Sequence, residues 1–236
     1  QGQGAGRGRP LHGPTEVFVV RKRRVGVLIS GRGSNMMALV EAARAPDYPA
    51  EIVCVVSNRP GAAGLAWARE QGLAAHAVDH KAYATREAFE DALHAVLIAE
   101  GVELVACAGF MRLMTAGFVE RWAGRMINIH PPLLPLYPGL NTHARALADG
   151  VRIVGCTVHH VVAEMDAGPI IAQGAVPVID GDTPAALADR ILSVEHVIYP
   201  QALALVASGK ARLEDGHVRI LSTVNQTARL ISPDVG

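Results

Sequence analysis

Short apolar runs alternate with stretches of helical period along most of this chain. Each run is long enough for one buried strand, and the stretches between them carry apolar residues three or four apart, as in an amphipathic helix. This alternation predicts an α/β fold with a mostly parallel twisted sheet, helices on both faces and ligands at the carboxyl ends of the strands. The predicted strands are residues 25–30, 52–56, 74–78, 104–108 and 126–130, and the predicted helices begin near 36 or cover 62–71, 83–100 and 115–123.

The later part of the chain departs from that alternation. Residues 155–162 and 170–178 predict two strands joined by a turn around Asp166, close enough to pair antiparallel. A long helix over 183–207 is expected to follow, and a turn at residues 215–216 then separates two short apolar runs. We expect a single domain over residues 23–225. The Gly-, Arg- and Pro-rich residues 1–22 are expected to be a disordered extension or a cloning remnant, and residues 226–236 a polar tail.

Charge and hydropathy narrow the possible partners. The chain has 22 Lys and Arg against 22 Asp and Glu, so no global basic field favours nucleic acid or an anionic membrane. No apolar run reaches the roughly 18 residues of a membrane span and no secretory signal opens the chain, so a cytoplasmic location is expected. The basic residues 21–24 could touch phosphate, but such a cluster is more often a solvated entry to a first strand.

A glycine loop follows the first strand. Gly33, Ser34 and Asn35 could offer backbone N–H groups and a helix start to a phosphate, because glycines permit close approach. Met36 stands where a dinucleotide fingerprint needs its third glycine, and no Lys-Ser or Lys-Thr pair indicates a nucleoside triphosphate loop. From these residues alone, a plain turn capped by Ser34 or Asn35 remains an equal alternative.

Two polar side chains end the strand over residues 126–130. Asn128 and His130 occupy alternate positions, so they point to one side of the sheet. Acyl transfer to an amine needs a donor for the oxyanion and a group that moves protons, and these two residues supply both. Asp166 is a candidate partner that would raise the pKa of His130. The residues alone also allow His130 to be a strand-end histidine bonded to backbone.

The sequence gives little support for a metal site or for a serine nucleophile. None of His130, His143, His159 and His160 has the spacing of a metal-binding helix, and Cys54, Cys107 and Cys156 lie apart in apolar runs, as buried thiols do. We therefore expect no metal. Nor does any serine stand in a nucleophile elbow.

Six segments together resemble the folate-dependent glycinamide ribonucleotide formyltransferase family, and the match runs from about Val25 to Pro200. The sequence departs from the family pattern at Pro132, Asn141 and Ala167, which puts only fine loop geometry in doubt. The segments are ISGRGSN at 29–35, AGFMRL at 108–113, NIHPPLLP at 128–135, YPGL at 137–140, EMDAGP at 164–169 and EHVIYP at 195–200.

The resemblance implies a formyltransferase Rossmann-like fold and a reaction in purine synthesis. It implies that 10-formyltetrahydrofolate gives its formyl group to the amine of a phosphorylated glycinamide ribonucleotide. Asn128 would stabilise the oxyanion, His130 would shuttle the proton, and Asp166 would keep His130 protonated. Gly33, Ser34 and Asn35 would hold the acceptor's phosphate, and Glu195 its ribose. The implied folate contacts are Arg86, Met111, Arg112, Leu113, Met114 and Asn128.

Other functions remain open beside this one. A methionyl-tRNA formyltransferase is expected to add a long basic C-terminal domain and a formyltetrahydrofolate hydrolase an N-terminal regulatory domain, and we expect neither here. A mononucleotide-binding module without catalysis would use only the glycine loop and would tolerate change at His130. The expected partners are small molecules, and the expected assembly is a monomer or a homodimer.

Overall fold

The computed structural model describes residues 21–221 and Ser232. Its main sheet has seven strands in the order β3-β2-β1-β4-β5-β6-β7. The first five strands are parallel, whereas β5 pairs β6 and β6 pairs β7 antiparallel. The strands are β1 Arg23–Ile29, β2 Ala50–Ser57, β3 Ala74–Ala77, β4 Leu104–Cys107, β5 Met126–His130, β6 Ile153–His160 and β7 Ile170–Pro177, and a separate hairpin is formed by β8 Ala211–Glu214 and β9 His217–Ile220.

Helices cover both faces of the sheet because alternate strand residues point to opposite sides. On β1, Val27 packs in one buried cluster with α1 and α6, and Leu28 packs in the other with α3 and α4. The mostly parallel α/β fold with antiparallel strands in its later half is therefore confirmed. The helices are α1 Ser34–Ala43, α2 Ala63–Glu70, α3 Arg86–Ala99, α4 Ala116–Arg121, α5 Thr142–Ala148 and α6 Pro184–Ala207, with a 3-10 turn at His80–Ala82.

Two local details differ from the sequence-based expectation. The cap of α1 is Gly33, with φ 74 and no side-chain hydrogen bond, so neither Ser34 nor Asn35 caps the helix. Glycine adopts this left-handed conformation at the lowest cost, which explains its place in the loop. The short helix α5 was not predicted. It follows Asn141, which has a positive φ of 56 and so turns the chain out of the Pro-rich loop.

The arginines of the basic entry segment contact neighbouring carboxylates. Arg21 and Arg23 lie 2.9 and 3.2 Å from Glu103, and Arg24 lies 3.3 Å from Glu51. These contacts favour the entry-segment interpretation over a phosphate site. Of the expected extension at residues 1–22 and the tail at 226–236, only Arg21, Lys22 and Ser232 lie inside the described residues, and the domain boundary at 225 falls outside them. Within residues 21–221, no helix combines the length and hydropathy that a membrane span requires.

Candidate active site

A cavity of about 680 Å³ opens at the carboxyl ends of β4 and β5. Asn128 and His130 reach it from β5, and Asp166 reaches it from the turn between β6 and β7. The strand-end placement of Asn128 and His130, and the place of Asp166 in the turn, are those predicted from sequence. The remaining polar and apolar wall comes from Gly109, Phe110, Met111, Arg112, Leu113, Met114, Leu140, His159, Val162, Glu164 and Met165, among others.

His130 and Asp166 meet inside this cavity. Nε2 of His130 lies 3.3 Å from Oδ2 of Asp166, and the two side chains are only 19% and 11% exposed. The contact has ion-pair distance without the angles of a hydrogen bond, and Oδ2 instead accepts the backbone N–H of Gly139 at 3.2 Å. Asp166 itself has a φ of 55, so the turn holds it in a left-handed conformation that Asp tolerates better than most residues.

The net shift of the His130 pKa is opposite to the sequence-based expectation. Burial lowers the pKa of His130 below 6.5, and the charge of Asp166 together with a backbone contact at Gly139 raises it by less. The free-energy cost of removing the imidazolium from water is larger here than the stabilisation that the neighbouring carboxylate provides. His130 therefore favours the neutral ring near pH 7.

Asn128 has a partner that the sequence did not reveal. Nδ2 of Asn128 lies 3.3 Å from Nε2 of His159, and Nδ1 of His159 lies 2.9 Å from the carbonyl oxygen of His160. From the sequence, His159 was weighed only as a metal ligand, and this contact was missed. A partial signal was present, because His159 lies in the next predicted strand along the chain, and residues opposite each other on paired strands share a face.

The Pro-rich loop after β5 is tied down by two residues of the antiparallel pair. The hydroxyl of Thr157 donates to the carbonyl oxygen of Pro132 at 2.8 Å and accepts the N–H of Leu134 at 2.9 Å. The Gln173 amide donates to the carbonyl oxygen of Leu134 at 2.9 Å. The loop beside His130 is thus held in place through its backbone groups.

The glycine loop forms a second polar region at the same sheet edge. Nδ2 of Asn35 donates to Oε2 of Glu195 at 2.7 Å, while Oδ1 of Asn35 has no partner among the described residues. Burial raises the pKa of Glu195, and the Asn35 bond acts the other way. The loop is supported from behind, because the N–H of Gly64 donates to the carbonyl oxygen of Gly31 at 3.1 Å. The structure thus brings Gly33, Ser34 and Asn35 near Glu195 of α6.

A buried hydrogen-bond network joins the glycine loop to the segment after β4. The hydroxyl of Ser30 donates to Oδ1 of Asn58 at 2.5 Å and accepts the backbone N–H of Met111 at 2.8 Å. Ser30 and Asn58 are 3% and 1% exposed. Hydrogen bonds at the ends of β1 and β2 therefore connect the start of the glycine loop to the cavity wall.

The expected folate contacts divide in two. Met111, Arg112, Leu113 and Met114 all line the cavity. Arg86 does not line it, because it is an exposed residue at the start of α3. Within residues 21–221 and Ser232, no group of three or more His, Cys, Asp or Glu side chains could hold a metal ion.

Comparison with known proteins assigns the chain to a family. The family model described as "Formyl transferase" matches residues 23–203. The chain belongs to the formyl transferase family. The resemblance carried by the six sequence segments is therefore confirmed.

Three relatives show how far this membership extends. The phosphoribosylglycinamide formyltransferase of Escherichia coli K12 is 40% identical over 80% of this chain and 89% of that protein. Glycinamide ribonucleotide transformylase 1 of Symbiobacterium toebii has the same fold with a TM-score of 0.83, 47% identity, and coverage of 85% of this chain and 95% of that structure. The human trifunctional purine biosynthetic protein adenosine-3 is 47% identical over 85% of this chain, but the chain spans only 20% of that protein's length.

Proposed function

We propose that this formyl transferase moves the formyl group of 10-formyltetrahydrofolate to the amine of 5-phosphoribosylglycinamide. The products are the N-formyl ribonucleotide and tetrahydrofolate, a step of de novo purine (IMP) biosynthesis. The observation that carries the proposal is the cluster of Asn128, His130 and Asp166, with 3.3 Å between the last two, inside a cavity at the same edge of the sheet as the Asn35–Glu195 pair. The names of the relatives in Escherichia coli and Symbiobacterium toebii support the same acceptor.

The cavity suits the folate co-substrate. Met111, Leu113, Leu140 and Met165 line it and are each more than half exposed, so an apolar ring system can cover them. Large apolar side chains left open around a cleft are typical of a ligand site. In the proposal, this wall holds the pterin and its neighbouring ring, while Arg112 and the backbone of residues 111–114 supply polar contacts. Arg86, outside the cavity, would meet only a part of the folate that projects from it.

The acceptor is assigned to the glycine loop. Gly33, Ser34 and Asn35 lie where α1 begins, and backbone N–H groups at a helix start favour a phosphate. Glu195, held by Asn35, is the proposed partner of the ribose hydroxyls. Because β1 and β4 are paired neighbours, this loop and the folate wall share one edge of the sheet. The acceptor's amine can thus be directed toward the formyl carbon, and such positioning is worth roughly 7 to 11 kcal/mol.

The chemistry follows from charge development at the formyl group. The amine nitrogen bonds to the formyl carbon, and the carbonyl electron pair moves to oxygen, where an N–H of Asn128 stabilises the oxyanion. The oxyanion's electron pair then re-forms the carbonyl as the bond from carbon to N10 of the folate breaks. The electron pair of that bond stays on N10, which takes up a proton, and the attacking amine loses one. In the proposal His130 carries protons from the attacking amine to N10, and Asp166 stabilises its charged form.

The direct test is release of tetrahydrofolate by the purified chain with and without 5-phosphoribosylglycinamide. Release that depends on the acceptor is expected. Release at the same rate without it would overturn the proposal in favour of a hydrolase that directs water at the formyl carbon. No release from a folded sample that binds both ligands would overturn it in favour of a binding module. Light scattering of the same sample would test the proposed monomer or homodimer.

A further inference from the structure

The side-chain amide of Asn128 is held by a histidine that the proposed mechanism leaves unused. Asn128 and His159 are register partners of β5 and β6, so their side chains share a face of the sheet. The contacts run from the carbonyl oxygen of His160 to Nδ1 of His159 at 2.9 Å, and from Nε2 of His159 to Nδ2 of Asn128 at 3.3 Å. They connect the strand backbone to the wall of the cavity.

The carbonyl group of His160 determines which ring nitrogen of His159 carries the proton. A carbonyl oxygen only accepts hydrogen bonds, so Nδ1 of His159 carries the proton between them. In a neutral ring Nε2 then has only a lone pair, and its partner must be a donor. Of the two polar groups on the Asn128 side chain, only Nδ2 donates. Its amide therefore turns Nδ2 toward His159, which uses one N–H and leaves the second for a ligand.

Protonation of His159 would reverse that orientation. An imidazolium has N–H groups at both nitrogens, so Asn128 would have to turn Oδ1 toward Nε2. His159 is 3% exposed, and burial lowers its pKa, with His130 acting in the same direction and Asp166 opposing. The other titratable or charged groups around it are Cys107, Arg112 and Glu164 on the cavity wall and His160 on its own strand.

We propose that His159 is a positioning residue whose neutral Nδ1–H form holds the Asn128 amide with a donor available to the formyl oxygen. This inference rests on the proposed function, since it assigns a role within the same formyl transfer. Loss of the ring nitrogens lets the amide rotate, so the donor is no longer held in place at the moment charge develops. Turnover falls, while substrate binding through residues 111–114 and the Asn35–Glu195 pair is retained.

Two substitutions at His159 separate this role from simple packing. His159→Met fills the space without an acceptor, and we expect kcat to fall about tenfold or more with the KM of each substrate within about twofold. His159→Gln keeps an acceptor oxygen near the position of Nε2, and we expect it to recover kcat to within about threefold of the parent chain. It also removes any contribution of His159 to the acid limb of the pH profile.

His160→Met is the matched control. His160 lies next to His159 on β6, is also 3% exposed, and points to the opposite face of the sheet. Only its backbone carbonyl belongs to the contacts described above, and that group survives the substitution. We expect kcat within about threefold of the parent chain, because a folded sheet without the ring of His160 still holds Asn128.

A measurement independent of activity tests the tautomer itself. The ¹⁵N shifts of the His159 ring in the intact chain are expected to show a protonated Nδ1 and an unprotonated Nε2. A proton on Nε2 at neutral pH overturns the inference, as does a His159→Met variant with parental kcat. Failure of the parent chain to transfer formyl groups would instead overturn the proposed function. The ¹⁵N shifts would still show whether Nε2 of His159 accepts a hydrogen bond from Asn128.

Discussion

The carboxylate of Asp166 reaches His130 because Gly168 lets the turn between β6 and β7 pack directly on the strand end. The carboxylate oxygen lies 3.3 Å from Nε2 of His130. A Cβ atom at Gly168 would stand 1.7 Å from the carbonyl oxygen of His160, so no side chain fits there without displacing the turn. The N–H of His160 donates to the carbonyl oxygen of Pro169 at 2.9 Å, which fastens the turn on its other side.

Substitution of that glycine is therefore expected to act on turnover through Asp166. Gly168→Ala should shift the carboxylate, and a misplacement of about 1 Å at a reacting centre costs on the order of a hundredfold in rate. Steady-state kinetics would show a loss of kcat larger than any change in KM. Gly117→Ala is the control, because Gly117 has open space around its Cβ and no positive φ. Equal kinetics for the two variants would contradict the proposed role of the turn.

The pH dependence of turnover tests the His130–Asp166 pair. If His130 acts as the charged acid, activity falls as pH rises through its pKa. Asp166 raises that pKa, so Asp166→Asn should move the high-pH limb of the rate profile to lower pH. Glu164→Gln removes a carboxylate from the same turn and should leave the limb in place. An unchanged high-pH limb in Asp166→Asn would contradict a role of the His130–Asp166 pair in the reaction.

Removal of the oxyanion donor is expected to separate catalysis from binding. Asn128→Ala should cost about 3 kcal/mol of transition-state stabilisation, which is a rate loss of order a hundredfold. His130→Ala should lose turnover as well. Both variants should bind each substrate as the parent chain does, measured by calorimetry. Parental turnover in His130→Ala would remove this residue from the mechanism.

The hydroxyl of Ser30 is expected to matter for the folate rather than for the acceptor. Ser30→Ala leaves the buried N–H of Met111 without its partner at 2.8 Å, and a lost hydrogen bond of this kind costs about 1 kcal/mol. The Kd for the folate should therefore rise about fivefold. Ser57→Ala is the control, since its equally buried hydroxyl bonds only to the backbone of Arg59. An unchanged folate Kd in Ser30→Ala would contradict a role of the Ser30–Met111 hydrogen bond in folate binding.

Stability should fall in mild acid because of buried histidines. His159 and His160 are each 3% exposed, and burial lowers both pKa values below 6.5. The unfolded chain takes up protons near that value while the folded chain does not, so stability is present above it and is lost as pH falls. Each group contributes up to about 1.4 kcal/mol per pH unit. Urea unfolding at about pH 7 and pH 5.5 measures this loss, and a flat or opposite trend would contradict it.

Local periodicity was sufficient to predict the fold class and most of the elements, but not the short helix α5 or the strand order. Alternating side chains predicted the shared face of Asn128 and His130, and turn residues predicted the antiparallel pair of β6 and β7. The approach of Asp166 to His130 depends on close packing at Gly168, which no local pattern reveals, so it was only a candidate from the residues. The net direction of the His130 pKa was missed because burial outweighs a visible carboxylate.

Two further residues mark the limit of sequence reasoning. His159 was missed because its contribution lies in the orientation of a hydrogen bond, which follows from strand register rather than from a motif. Arg86 was carried over from the family resemblance, and its exposed place at the start of α3 sets it apart from the cavity wall.

The most direct test of the account follows the formyl carbon itself. The chain is given 10-formyltetrahydrofolate labelled with ¹³C in the formyl group together with 5-phosphoribosylglycinamide, and the carbon is observed by NMR. We expect the label to move to the formyl carbon of the N-formyl ribonucleotide, and only when the acceptor is present. Label recovered as formate, with the acceptor unchanged, would contradict it.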